Sequence, residues 1–118
     1  KPGSVYLNKY KIQNTVTDVR QFTDNIPSDF RLYQNYPNPF NPNTVISYQI
    51  PVLSKVTLKV YDFIGREVKT LVNEEKEAGN YKINFNATKL GSGVYWYKLT
   101  AKNNFGNFVQ SKKMVLIK

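Results

Sequence analysis

Lys55-Val56-Thr57-Leu58-Lys59-Val60-Tyr61 alternates at every step, with Val56, Leu58 and Val60 on one face and Thr57 and Lys59 on the other. Side chains of a strand point alternately to its two faces, so a period of two that sorts apolar from polar predicts a half-buried β-strand. The run is closed by Asp62-Phe63-Ile64-Gly65. There the Asp carboxylate can cap backbone N–H groups ahead of it, and the Gly takes a positive φ at no steric cost. A strand closed by such a turn is the unit from which most of the chain is built.

The same unit recurs on both sides. Residues 43–50 place Ile46, Tyr48 and Ile50 on one face, and residues 80–86 set Tyr81, Ile83 and Phe85 against Lys82 and Asn84. Residues 66–72 form a shorter strand with Val68, Thr70 and Val72 opposed to Lys69 and Leu71. In residues 93–101, Tyr95, Tyr97 and Leu99 oppose Val94, Trp96 and Lys98; either Trp96 or the tyrosines face the core. Residues 107–117 offset Phe108, Met114 and Leu116 from Val109, Val115 and Ile117. Turn residues separate the runs at 51–54, 77–80, 90–93 and 103–106, and Gly79, like Gly65, is expected at positive φ. Val72–Ala78 is too short and too polar for a helix and reads as a charged loop. Short strands at this spacing predict an all-β fold, an immunoglobulin-like antiparallel β-sandwich of about seven strands in ~100 residues.

With 118 residues the chain supports one domain. Residues 1–28 read as an N-terminal extended arm or linker, weakly alternating over Tyr10–Val19, and residues 29–118 as the domain. The start at Lys1 rather than Met reads as a processed or excised fragment, either a mature chain or the tail of a longer protein. Residues 36–43, Tyr-Pro-Asn-Pro-Phe-Asn-Pro-Asn, break the pattern, since three prolines remove ladder donors and fix φ. This stretch is expected to close the end of the sandwich with Tyr36 and Phe40 tucked inward; its aromatic–proline alternation also suits a docking segment.

Composition removes much chemistry. There is no Cys and no His, hence no disulfide, no thiolate nucleophile, no Ser-His-Asp triad and no imidazole ligand. The eight acids include one tight group, Glu74, Glu75 and Glu77, with Lys76 among them; this reads as a solvated turn rather than a carboxylate pair spanning a cleft. No enzyme activity, cofactor or metal site is expected. The net charge of +9 is spread along the chain, and 14 of the 17 cations are Lys. Such a surface suits acidic partners, but the scarcity of Arg argues against nucleic-acid readout. No stretch approaches the ~20 apolar residues of a membrane helix.

The order of landmarks carries a resemblance. Phe30-x-Leu32-x-Gln34-Asn35-Tyr36-Pro37-Asn38-Pro39-Phe40-Asn41-Pro42 is followed by Tyr48-x-Ile50-Pro51, then by Val60-Tyr61-Asp62-x-x-Gly65-Arg66-Glu67-Val68. Ala78-Gly79-x-Tyr81, Leu90-x-Ser92-Gly93-Val94-Tyr95 and Lys112-Lys113-Met114-Val115-Leu116-Ile117-Lys118 complete the series. Phe30–Lys118 resembles the type A C-terminal sorting domain of proteins exported by the type IX secretion system of Bacteroidetes and their relatives. The resemblance implies a non-catalytic sandwich, read by the outer-membrane secretion machinery after transit through a Gram-negative periplasm. Its cargo is secreted or attached to the cell surface.

Two groups of residues then become candidates. Lys112, Lys113, Met114, Val115, Leu116, Ile117 and Lys118 are the candidate recognition strand: an edge strand at a terminus can add to another sheet, while its lysines suppress indiscriminate pairing. Pro37, Pro39, Phe40, Asp62, Gly65, Arg66, Gly79, Gly93 and Tyr95 are motif positions at turns and ends. Two other functions fit the residues. In one, the chain is a structural subunit that assembles with other copies of itself, or packs on upstream domains, through the arm. In the other, a carbohydrate- or anion-binding module uses the Tyr and Trp faces.

Overall fold

The computed structural model describes residues 26–118. The arm expected over residues 1–28 lies outside them except for Ile26–Ser28. Seven strands follow in order: β1 (Arg31–Leu32), β2 (Asn43–Ile50), β3 (Ser54–Asp62), β4 (Glu67–Lys76), β5 (Gly79–Asn86), β6 (Gly93–Asn103) and β7 (Gly106–Leu116). They form two antiparallel sheets, one ordered β1-β2-β5 and the other β4-β3-β6-β7. This is the immunoglobulin-like sandwich that the alternation predicts.

The inward faces are the expected ones. Ile46, Tyr48 and Ile50 of β2 meet Val56, Leu58 and Val60 of β3, joined by Tyr97 and Leu99 of β6 and by Met114 and Leu116 of β7, all buried. Phe85 of β5 is buried, and Tyr81 and Ile83 on the same face pack against the core half-covered. Trp96 is 42% exposed while Tyr95 and Tyr97 are buried, so the tyrosines face inward. One rung shows how the larger sheet is built. Lys69, Val60, Tyr97 and Lys112 lie side by side across β4, β3, β6 and β7. The two central residues are fully buried. The outer two are lysines on the core-facing side of the edge strands, a placement that discourages sheet-to-sheet addition.

Three expectations are corrected. The charged stretch after Val72 is not a loop: β4 continues through Asn73-Glu74-Glu75-Lys76, pairing with Ser54–Thr57. Backbone pairing with β3 overrides the polar composition, which suits an edge strand open to water. The ladder slips between Leu58 and Lys59 and again between Val60 and Tyr61, which is why simple alternation failed over residues 66–72. Gly79 does not sit at positive φ but pairs with Ile50 at the start of β5, whereas Gly65 does, at 101°. Tyr36 is 80% exposed rather than tucked in; only Phe40 is buried.

Candidate functional site: the proline strap and the last strand

Strand β7 lies at an edge of its sheet, so the alternate backbone groups that face away from β6 need partners outside that sheet. Over the final turn of chain they find them in the proline-rich segment, residues 33–42, which acts as a strap. It begins beside β2, where the Tyr36 N–H donates to the Val45 carbonyl (3.0 Å) and the Val45 N–H donates back to Tyr36 (2.9 Å). It then crosses to the other sheet and runs parallel to β7. The Phe40 N–H donates to the Val115 carbonyl (2.9 Å) and the Ile117 N–H donates to the Phe40 carbonyl (3.0 Å). Side chains extend the contact: Asn38 Oδ1 accepts the Val115 N–H (3.0 Å), and Gln34 Nε2 donates to the Lys113 carbonyl (2.8 Å).

Buried polar groups hold the strap in place. The Tyr97 hydroxyl donates to the Tyr33 carbonyl (2.7 Å) and accepts the Asn35 N–H (2.8 Å). Burial pushes the Tyr97 phenol up to about 12, so it remains the neutral donor that the strap requires. Asn35, itself buried, donates from Nδ2 to Thr44 Oγ1 (3.0 Å) and to the Pro37 carbonyl (3.1 Å), and Thr44 Oγ1 donates to that same carbonyl (2.8 Å). Phe40 fills the core beside Phe85, ring centroids 6.1 Å apart. The prolines leave few strap N–H groups to satisfy, and Asn and Gln side chains do the bonding that a regular strand would do with its backbone.

The candidate recognition strand is therefore no free edge. Lys112 points inward and is half-buried, Lys113 points outward, Met114 and Leu116 are core, and Ile117 is 53% exposed beyond the strand end. The Lys118 N–H donates to Ser92 Oγ (3.0 Å). Addition of a foreign strand over Lys113–Ile117 is blocked while the strap is seated. Along the hairpin half of β7, the side chain of Val109 is 56% exposed.

Several of the remaining motif positions make local contacts. Asp62 Oδ1 accepts the N–H groups of Ile64 (3.0 Å), Gly65 (3.0 Å) and Arg66 (2.9 Å), and Oδ2 accepts Arg66 Nε (2.8 Å). The Arg66 N–H leads in holding the Asp62 carboxyl below its ordinary value, helped by the Arg66 guanidinium. This turn holds Phe63 and Ile64 in solvent at 75% and 65% exposure. Tyr95 donates its hydroxyl to the Gly91 carbonyl (2.7 Å), bracing the loop that ends at Gly93. Pro37 supplies the carbonyl shared by Asn35 and Thr44, while Pro39 is exposed and Gly79 opens β5. Sequence reasoning passed over Gln34, Asn38, Thr44 and Tyr97 as partners of β7 and of the strap. The available signal was the density of Asn and Gln beside the prolines, where only side chains can replace the missing N–H donors.

Comparison with known proteins matches this architecture to a family of secretion system C-terminal sorting domains over residues 34–117, from the strap to the end of the last strand. The chain belongs to that family. The resemblance drawn from the ordered motifs stands. Among solved structures, a dimeric latent PorU from Porphyromonas gingivalis is similar, with a TM-score of 0.58 and 22% identity; the match covers 75% of this chain and 9% of that one. PorZ, a surface component of the type IX secretion system of the same organism, gives a TM-score of 0.46 at 20% identity, over 74% of this chain and 11% of that one. CopC from Methylosinus trichosporium OB3b gives 0.47 at 12% identity, over 74% and 92%. The likeness to PorU shows a shared fold. No curated protein matches the chain.

Proposed function

We propose that residues 29–118 are the export and surface-targeting signal of a larger secreted protein, read by the type IX machinery at the outer membrane after passage through the periplasm. The family is non-catalytic, and among the described residues no cluster of carboxylates could hold a metal. The observation that carries the reading is the parallel pairing of Phe40 with Val115 and Ile117. It brings the family's first and last motifs into one composite surface, with Lys113, Ile117 and Lys118 displayed beside Asn38 and Pro39. A folded sandwich offers a translocon surface rather than a thread. This end gathers the strap, the Asp62–Arg66 turn, Gly93 and Tyr95 beside the final residues, while Gly79, opposite Ile50, lies at the other end. Lys112–Lys118 and the motif positions at this end act together, as one shape.

A periplasmic reporter fused ahead of residues 29–118 tests this in a type IX-competent strain. Export is expected for the intact domain and loss of export on removing Lys112–Lys118. Lys113→Glu with Lys118→Glu, which leaves the core untouched, is expected to reduce export without lowering the melting temperature. Retention of the intact fusion in the periplasm would refute the reading.

A further inference from the structure

The outer face of the four-stranded sheet carries opposed lysines that its acids only partly offset, since Glu75 of β4 lies opposite Lys55 and Glu67 reaches Lys59. Lys59 of β3 lies directly opposite Lys98 of β6, and four residues along on the same face Lys55 lies directly opposite Lys102. Like charges at directly opposed positions destabilise a sheet. Lys59 is relieved by Glu67 at 3.2 Å, and Lys98 parks its ammonium over the Tyr61 ring, 5.4 Å from the centroid. Lys98, Lys102 and Lys113 have no carboxylate partner among the described residues.

The next pair on this outer face holds the aromatics. Tyr61 and Trp96 are directly opposed on β3 and β6, and Lys113 of β7 is opposite Trp96 on the other side. Neighbouring strands are ~4.8 Å apart and same-face residues ~6.7 Å along a strand, so Lys59, Lys98 and Lys113 all surround one two-ring platform. Trp96 is 42% exposed there, although the core behind it is filled by the buried Tyr95 and Tyr97.

We infer that this face binds an acidic polysaccharide. Sugar rings stack their C–H faces on Trp96 and Tyr61, while uronate or similar anionic substituents neutralise the opposed lysines. The stacking surface separates this from a purely electrostatic patch, since diffuse positive charge does not require a half-exposed Trp between three ammonium groups. The cations are Lys, compact point charges that pair with anions without demanding a fixed bidentate geometry; Arg31 and Arg66, whose forks would demand it, lie off this face. The inference stands apart from the export reading and is tested without it.

The full chain is run in native affinity gels containing polygalacturonate, with neutral dextran as a control. Retardation is expected in polygalacturonate at low salt and none in dextran. Lys98→Gln with Lys102→Gln is expected to weaken binding about tenfold, the size of one or two lost charge-assisted contacts. The same variant, relieved of like-charge opposition, is expected to melt no lower than the parent. Trp96→Ala is expected to weaken binding severalfold, while Lys69→Gln with Lys89→Gln, off the face, leaves it unchanged. No retardation at low salt overturns the inference, as does retardation that either on-face variant leaves intact. Tighter retention by oligo(dT) or by phosphatidylglycerol vesicles than by polygalacturonate also overturns it.

Discussion

The two edges of the four-stranded sheet are protected in different ways. Strand β4 keeps its edge in water and relies on two register slips, the inward Lys69 and the acids Glu67, Glu74 and Glu75. Strand β7 also carries an inward lysine, Lys112, but its final residues are hydrogen-bonded by Gln34, Asn38 and Phe40. Charge and irregularity suffice where an edge must only avoid the wrong neighbour. The β7 edge has one right neighbour, drawn from the far end of the domain, and the buried Asn35–Thr44–Tyr97 network fixes that neighbour in position. Specific side-chain bonding marks the edge that has a fixed partner within the domain.

The difference is open to direct attack. Phe40→Ala is expected to cost ~3–5 kcal/mol, because it empties a core site and unseats the strap together. Denaturant unfolding reads the loss, and amide exchange should show Val115 and Ile117 losing protection before β4 does. Phe85→Ala, its aromatic neighbour, should cost a similar ~3–5 kcal/mol but leave those two amides no more exposed than the rest of the sheet. If both variants expose Val115 and Ile117 alike, the strap is not a separate device.

Tyr97→Phe tests the polar half of the latch. It leaves the buried Asn35 N–H and Tyr33 carbonyl unpaired, an expected ~1–3 kcal/mol loss measurable by chemical denaturation. Alkali acts on the same group. The Tyr48 and Tyr97 phenols are both pushed up to about 12 by burial, above the ordinary value near 10. Their contribution is therefore complete below pH 10 and is lost as pH rises through about 12. Tyr97→Phe should flatten the alkaline fall in stability, and a titration curve identical to the parent's would remove Tyr97 from the account.

The smallest effects belong to the open surfaces. Glu75→Ala on the β4 edge and Lys82→Ala on the outer face of β5 are each expected within ~0.5 kcal/mol. A larger loss at Lys82 than at Phe85 would mean that β5 faces the other way.

Much of the sandwich was legible because β2, β3 and β5 separate apolar from polar residues at period two, and hydrophobic burial enforces that register. Strands β6 and β7 alternate with apolar residues on both faces, so their strand character was legible but not their inward side. The Asp62–Gly65 turn was legible for a local reason, since the four hydrogen bonds of the Asp62 carboxylate join residues within four positions of each other. The end of β4 was not. Asn73–Lys76 has no apolar residue, and its strand conformation comes from β3, a partner that the segment itself does not specify. Tyr36 misled because proline-flanked aromatics look alike in sequence. Only the crossing from β2 to β7 decides that Phe40 turns inward and Tyr36 outward. The latch stayed hidden because its hydrogen bonds span the domain, and Asn and Gln carry no period that would announce them.

The Asn38–Val115 hydrogen bond joins residues 77 positions apart. During synthesis at ~5–20 residues per second, the strap emerges roughly 4–15 s before its partner exists. A ribosome that stalls or meets a premature stop codon before Lys113 leaves Phe40 with nothing to pair with and the seventh strand unfinished. Only a chain made through Ile117 can close the contact between the strap and the last strand.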